Sequence, residues 1–192
     1  MALLASGAGS NAEKIMEHFK NHPTIRVKLV LSSKKTAGVL QKAENFGIAT
    51  LILDRHDFFD TNIYVQELKN RHIDILILAG FLWKVPANLV SSFQNRIINI
   101  HPALLPKYGG KGMYGHFVHE AVIEAKEKQS GITIHLVDEV YDHGKHLFQA
   151  TCEIAPTDTP DDLASKIHLL EHQCFPKVIE KYITENPALF SK

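Results

Sequence analysis

Cysteine is scarce in this chain of 192 residues: Cys152 and Cys174 are the only two. Two thiols cannot build the framework of a small secreted domain, and they read as buried thiols in a reducing compartment. Net charge is missing too, with 21 Lys+Arg against 21 Asp+Glu. A zero balance argues against a protein whose main task is gripping nucleic acid or an anionic membrane. No apolar run approaches the ~18 residues of a membrane-spanning helix. The opening Met1-Ala-Leu-Leu-Ala-Ser-Gly7 has neither the basic start nor the long apolar stretch of a signal peptide. Repeats, low-complexity segments and linkers are absent, so a single domain over 1–192 and a cytoplasmic location are expected. What is present is ordinary for a globular chain, with 45% hydrophobic and 22% charged residues, which disfavours collagen, coiled coil and disorder. Histidine, at twelve, is the excess.

Short, β-rich apolar runs alternate with amphipathic stretches. Strands are expected at 1–6, 27–32, 49–53, 73–79 and 97–101. Helices are expected at 10–19, 38–46, 60–70 and 86–93 between them. Ser10-Asn-Ala-Glu13 fits a capping box that would start the first helix. The strands are nearly continuous apolar runs, which points to a mostly parallel sheet buried by helices on both faces, a Rossmann-like three-layer α/β fold. In the second half, 107–115 is a Gly-rich loop and 116–125 a helix. The segments 131–137 and 147–154 form an antiparallel strand pair around a polar turn. Thr159-Pro-Asp-Asp162 then opens the last helix with a cap, a first-turn proline and dipole-matched acids.

Three segments carry chemical signals. Ser6-Gly-Ala-Gly-Ser-Asn-Ala12 joins the first strand to the first helix, where glycines let a ligand approach and free N–H groups favour an anion. The pattern also fits a dinucleotide fingerprint, but strand two ends in Ser32-Ser-Lys-Lys35 with no acid for a ribose. A phosphate site is therefore favoured over NAD, while the two lysines leave NADP open; a ligand-free tight turn is the bland alternative. In Ile98-Asn-Ile-His-Pro-Ala-Leu-Leu-Pro106, Asn99 and His101 share one face at a strand's C-terminal end, where open α/β sheets bind ligands. An amide donor beside an imidazole suits acyl transfer, one group for an oxyanion and one for a proton. On spacing alone a structural Asn-His pair reads equally well. Asp138-Glu-Val-Tyr-Asp-His-Gly144 offers a carboxylate to orient a histidine, or is simply a solvated hairpin turn. The pairs His116/His119, His143/His146 and His168/His172 lack a third metal ligand, so no metal is expected. Phe81-Leu-Trp83 reads as a ligand wall or as packing.

Taken together, these segments resemble the glycinamide ribonucleotide formyltransferases of purine biosynthesis. The matching stretches are Ala5-Ser-Gly-Ala-Gly-Ser-Asn11, Leu78-Ala-Gly-Phe-Leu82, Ile98–Pro106, Asp138-Glu139 with Asp142-x-Gly144, and Leu170-Glu-His172, in family order over nearly the whole chain. The N-I-H-P-x-L-L-P element with a downstream D-x-G marks folate-dependent formyltransferases. The resemblance implies Asn99, His101 and Asp142 as the catalytic set. It implies Gly9, Ser10 and Asn11 at the ribonucleotide phosphate, with His168 and Glu171 also on that substrate. Phe81, Leu82, Trp83, Lys84, Val85, Val90, Val137, Asp138, Glu139, Val140 and Tyr141 match the folate pocket. Residues 1–101 would form the phosphate and nucleotide half, and 102–192 the folate-binding and catalytic half. The chain departs from the family where both Val140 and Tyr141 precede Asp142, and where no arginine stands near Thr61. Strand one also opens almost at Met1, where the family usually carries residues ahead of it.

The implied reaction moves a formyl group from 10-formyltetrahydrofolate, as co-substrate and without a metal, to the amino group of glycinamide ribonucleotide. Asn99 would hold the oxyanion. A protonated His101 would be the second donor and acid, its pKa raised by Asp142. Ser10 would serve as helix cap and ligand contact. Small-molecule substrates, no nucleic acid, no membrane, and a monomer or homodimer are expected. A formyltransferase acting on methionyl-tRNA would need a basic C-terminal domain, and a deformylase a regulatory one. A non-catalytic NADP-binding protein is the rival from another class.

Overall fold

The computed structural model describes residues 1–190. Five parallel strands, β1 (Ala2–Ala5), β2 (Leu29–Ser32), β3 (Ala49–Ile52), β4 (Leu76–Leu78) and β5 (Ile97–His101), lie in the order β3-β2-β1-β4-β5. The sheet is completed by β6 (Gln129–Leu136), antiparallel to β5, and β7 (His146–Glu153), antiparallel to β6. The helices are α1 (Ser10–Phe19), α2 (Gly38–Asn45), α3 (Arg55–Asp60), α4 (Ile63–Asn70), α5 (Ala87–Ser92), α6 (His116–Glu124) and α7 (Pro160–Glu185).

Alternation along the strands feeds two cores. Leu3, Val30, Ile77 and Ile98 point to one face, against Ile15 of α1 and Phe175 of α7. Leu4, Leu29 and Leu76 point to the other, against Phe58 of α3, Leu68 of α4 and Phe93 beyond α5. Burial on both faces explains why these strands read as unbroken apolar runs. The result is the expected three-layer α/β fold.

Three local expectations are corrected. Ser10 does not cap α1: it is the first helical residue, and Gly9 before it has φ 77° with no side-chain cap. Glu13 instead pairs with Lys42 of α2. A Cβ at Gly9 would lie 2.6 Å from Val39 Cβ, so both the left-handed backbone and the close approach of α2 require glycine. The expected helix 60–70 begins only at Ile63, and α3 is a separate turn of helix ahead of it. Asp54 caps α3 by accepting the Asp57 N–H at 3.1 Å. Thr61 breaks the run, its Oγ1 donating to the Asp57 carbonyl at 2.8 Å and accepting the Ile63 N–H at 3.2 Å. Finally β2 starts at Leu29, two residues later than expected. At α7 the expected Thr159 cap is present, and Asp162 completes a reciprocal capping box.

β1 pairs β2 on one side and β4 on the other, so the strand order reverses between β1 and β4. That is where an open α/β sheet leaves a crevice outside its carboxyl ends. No helix among the described residues is long and apolar enough to cross a membrane.

Candidate active site

A cavity of about 800 Å³ opens at the C-terminal ends of β1, β4 and β5. One end holds the 7–11 turn and the start of α1, with His168 and Glu171 of α7 beside it. The floor holds Asn99, His101, His135 and Asp142. An apolar side is made by 81–85 with Val137, Val140 and Tyr141, and the Gly-rich segment 110–115 also lines the cavity.

The backbone of this cavity is tied at named atoms. The Ser6 and Ser33 hydroxyls lie 2.6 Å apart, and Ser6 Oγ accepts the Leu82 N–H at 3.1 Å, fixing the 80–82 turn. After His101, Thr133 Oγ1 donates to the Ala103 carbonyl at 2.7 Å and accepts the Leu105 N–H at 3.0 Å. The Gln149 amide donates to the Leu105 carbonyl at 3.1 Å. The 102–106 loop is therefore held by β6 and β7 as well as by its prolines.

Antiparallel register sets Asn99 of β5 opposite His135 of β6. His135 Nδ1 donates to the Leu136 carbonyl at 2.8 Å, so in the neutral ring Nε2 is an acceptor. Asn99 Nδ2 lies 3.1 Å from that nitrogen, which fixes the amide with its N–H groups toward His135 and the cavity. Asp142, from the β6–β7 turn, stands between two histidines. Its Oδ2 is 3.7 Å from His101 Nδ1 and its Oδ1 is 3.7 Å from His135 Nε2. Asp142 has φ 54°, a left-handed conformation that Asp tolerates better than most residues. His135 was not singled out by sequence; only the strand register reveals its partner.

The protonation of His101 differs from expectation. Asp142 does raise its pKa, but burial is the larger influence, and the net direction is down. His101 is 4% exposed, and Nε2–H donates to the Tyr108 carbonyl at 2.8 Å. In the free protein the ring is thus favoured as the neutral Nε2–H tautomer with its Nδ1 lone pair toward Asp142. The expected rise from Asp142 is thus present but outweighed by burial.

At the other end, Glu171 is 6% exposed and accepts from Asn11 Nδ2 at 2.8 Å. Burial pushes its carboxyl pKa up, while the Asn11 donor and His168 pull it down. Asn11 Oδ1 is buried without a partner. His168 is exposed and stacks on His172, ring centroids 6.2 Å apart. Two expected pocket residues lie elsewhere. Val90 packs on the second core behind the wall, and Glu139 lines a smaller groove outside the cavity with Phe59 and Lys84. Trp83 does line the cavity but also packs on Phe58 and Phe59, while Lys84 Nζ sits 5.4 Å over the Tyr141 ring. Among the described residues, no group of three or more His, Cys, Asp or Glu is arranged to hold a metal ion.

His119, which the sequence offered only in a pair lacking a third metal ligand, lines the cavity with Nδ1 buried and unpaired. Burial, then the neighbouring His168, His116 and His101, lower its pKa from 6.5 to about 4. Stability should therefore fall as pH drops from 6.5 towards 4, because the unfolded chain takes up a proton there and the native ring does not. The effect is at most about 3 kcal/mol, and nearer 2 once solvent screening in the open cavity is counted. Urea midpoints at pH 7 and pH 5 should show the loss, and His119→Asn should flatten it; an equal slope in both proteins rejects the assignment.

A family model described as Formyl transferase matches residues 1–179. The chain belongs to the formyl transferase family. Within the family it is 38% identical over 185 residues to a chloroplastic phosphoribosylglycinamide formyltransferase of Arabidopsis thaliana, covering 93% of this chain and 63% of that one. It is 37% identical to the trifunctional purine biosynthetic protein adenosine-3 of Drosophila melanogaster, covering 93% of this chain and 13% of that protein. The chain thus spans less than two thirds of the length of these curated relatives. Among solved structures, phosphoribosylglycinamide formyltransferase of Bacillus halodurans superposes with a TM-score of 0.88 at 32% identity, covering 100% of this chain and 98% of that chain.

Proposed function

We propose that this chain transfers a formyl group from 10-formyltetrahydrofolate to the amino group of glycinamide ribonucleotide, giving N-formylglycinamide ribonucleotide in de novo purine biosynthesis. One observation carries the reading: an amide, two neutral-leaning histidines and a carboxylate meet on the floor of one cavity whose far end is a helix start suited to phosphate. The names of the relatives support the same substrates. The whole chain acts as one domain in the cytoplasm, as monomer or homodimer, on small molecules.

The ribonucleotide phosphate sits at Gly9–Asn11 with His168 beside it, and Glu171 faces its sugar. This anchoring, remote from the amine, positions the nucleophile. The formyl folate lies along Phe81–Val85 and Val137–Tyr141, an apolar wall with Leu82, Val140 and Tyr141 open to a flat aromatic ligand. When the amine adds to the formyl carbon, charge grows on one oxygen, and the free Asn99 N–H meets it. His101 Nδ1 takes the proton that the amine must lose. The imidazolium so formed is stabilised by Asp142, then returns the proton towards the departing folate nitrogen, directly or through water. Asp142 thus acts on the charged intermediate state rather than on the resting ring.

Purified protein should consume formyl donor only when glycinamide ribonucleotide is present, read by absorbance of the deformylated folate. Turnover that needs only water, or none with both substrates, rejects the reading. A charge-assisted contact to the ribonucleotide through Glu171 predicts that Glu171→Gln raises its KM roughly tenfold, about 1.4 kcal/mol, and leaves the folate KM unchanged. Equal changes in both KM values would place Glu171 elsewhere.

A further inference from the structure

The side chain of Glu127, in the turn between α6 and β6, plays no part in the chemistry above and lies outside the cavity lining. Its Oε1 accepts two hydrogen bonds, from Lys107 Nζ at 2.8 Å and from Tyr108 Oη at 2.9 Å. Both donors sit at the entry to the Gly-rich segment. Tyr108 has φ 56°, a left-handed conformation unfavourable for an aromatic residue, which persists only where the surroundings impose it. In that conformation its carbonyl accepts Nε2–H of His101 at 2.8 Å. Two residues on, the Gly110 N–H donates to Asp142 Oδ2 at 2.8 Å. Between them Gly109 is wedged, since a Cβ there would meet Leu105 Cδ2 at 2.4 Å and Asp142 Cβ at 3.3 Å. Residues 108–110 therefore touch both members of the proton-handling pair on their inner side, and Glu127 holds them from outside.

We propose that Glu127 is a positioning residue for His101 and Asp142, acting through the Tyr108 hydroxyl to hold the strained Tyr108 carbonyl on the imidazole. This deepens the proposed formyl transfer and rests on that reading for its kinetic consequence. The Tyr108 carbonyl bond fixes which nitrogen of His101 carries the proton, leaving Nδ1 free for the amine's proton. The other titratable groups around His101 are Asp142 of the β6–β7 turn, His135 of β6 and His119 of α6. None of them lies on the 107–110 segment. A loosened carbonyl therefore changes the tautomer balance of His101 without removing any charge beside it, and it lowers the pKa that this bond raises.

The test uses Glu127→Ala, Tyr108→Phe and Glu127→Gln in the full chain, each first checked for wild-type far-UV circular dichroism. Gln keeps an oxygen that accepts from Tyr108. Glu127→Ala and Tyr108→Phe should each lower kcat about tenfold, with both KM values within twofold, and Glu127→Gln should keep at least half of wild-type kcat. In 15N spectra of histidine-labelled protein, with His101 assigned by comparison with His101→Asn, the first two variants should show mixed neutral tautomers and a lower titration midpoint. A folded Glu127→Ala with wild-type kcat overturns the proposal, and so does a kcat loss with an unchanged His101 spectrum. The spectra decide the relay even if the wild-type chain fails to formylate glycinamide ribonucleotide, an outcome that would sink the proposed reaction alone.

Discussion

Asn99→Ala should lower kcat for formyl transfer about 10²–10³-fold while leaving both KM values within about threefold, the range seen when one preorganised oxyanion donor is lost. The reasoning starts at His135. Its Nδ1–H is committed to the Leu136 carbonyl, so its Nε2 can only accept, and that orients the Asn99 amide nitrogen. One N–H of Asn99 is then held by His135 and the other is free for the cavity. Such a donor costs no reorganisation when charge appears, which is why its removal affects kcat more than binding. Alanine also leaves His135 Nε2 unpaired, a stability loss of about 1 kcal/mol that a denaturation curve would register separately. Asn99→Asp keeps the shape but turns the donor into an acceptor beside Asp142, and should be at least as damaging. Steady-state kinetics with saturating donor and acceptor check both. A turnover within threefold of wild type in Asn99→Ala would remove the amide from the reaction.

The inner strands β1, β2 and β4 were legible because they are buried on both faces. Leu3 and Leu4 serve opposite cores, so no polar position interrupts the run, and the apolar blocks could be read one by one. α3 was not legible: Arg55-His-Asp-Phe-Phe-Asp60 is six residues long and shows no 3.6 period, and only the Asp54 cap and the Thr61 breaks define it. Ser10 misled for a related reason. The S-x-x-E spacing is right for a box, but a left-handed Gly9 already turns the chain, and Lys42 draws Glu13 away. At the site, Asn99 and His101 follow from strand alternation and Asp142 from a motif. His135 and Glu127 do not, because the first depends on the β5–β6 register and the second on a contact across 19 residues of loop and helix. The direction of the His101 shift was misread because sequence shows which charges are near but not how much water is excluded, and here burial wins.

Gly144→Ala should disable the protein from the backbone. Gly144 is buried where β7 leaves the polar turn, and a Cβ there would lie 1.8 Å from the Leu136 carbonyl oxygen and 2.8 Å from its carbon. Both obstacles are main chain, and a carbon against that oxygen needs about 3.3 Å, so the strands must part by more than an ångström. Two things hang on that spot. The Leu136 N–H donates to the Lys145 carbonyl at 2.9 Å, closing the hairpin that carries Asp142. The obstructed Leu136 oxygen is also the acceptor that fixes the His135 ring. The variant therefore moves Asp142 and frees His135 at once, and a displacement of that size at reacting groups costs about 10²-fold in rate. Overpacking should lower stability by about 2 kcal/mol, or roughly 4–8 °C in Tm. Gly47→Ala is the control: it has φ +66° with nothing within 4 Å of a Cβ, and it lies outside the cavity lining. It should lose about 1 kcal/mol of stability from backbone strain and keep wild-type kcat. If both variants lose the same Tm and the same kcat, the activity loss in Gly144→Ala reflects unfolding rather than a displaced Asp142. If Gly144→Ala retains full turnover, the D-x-G spacing is not what positions the carboxylate.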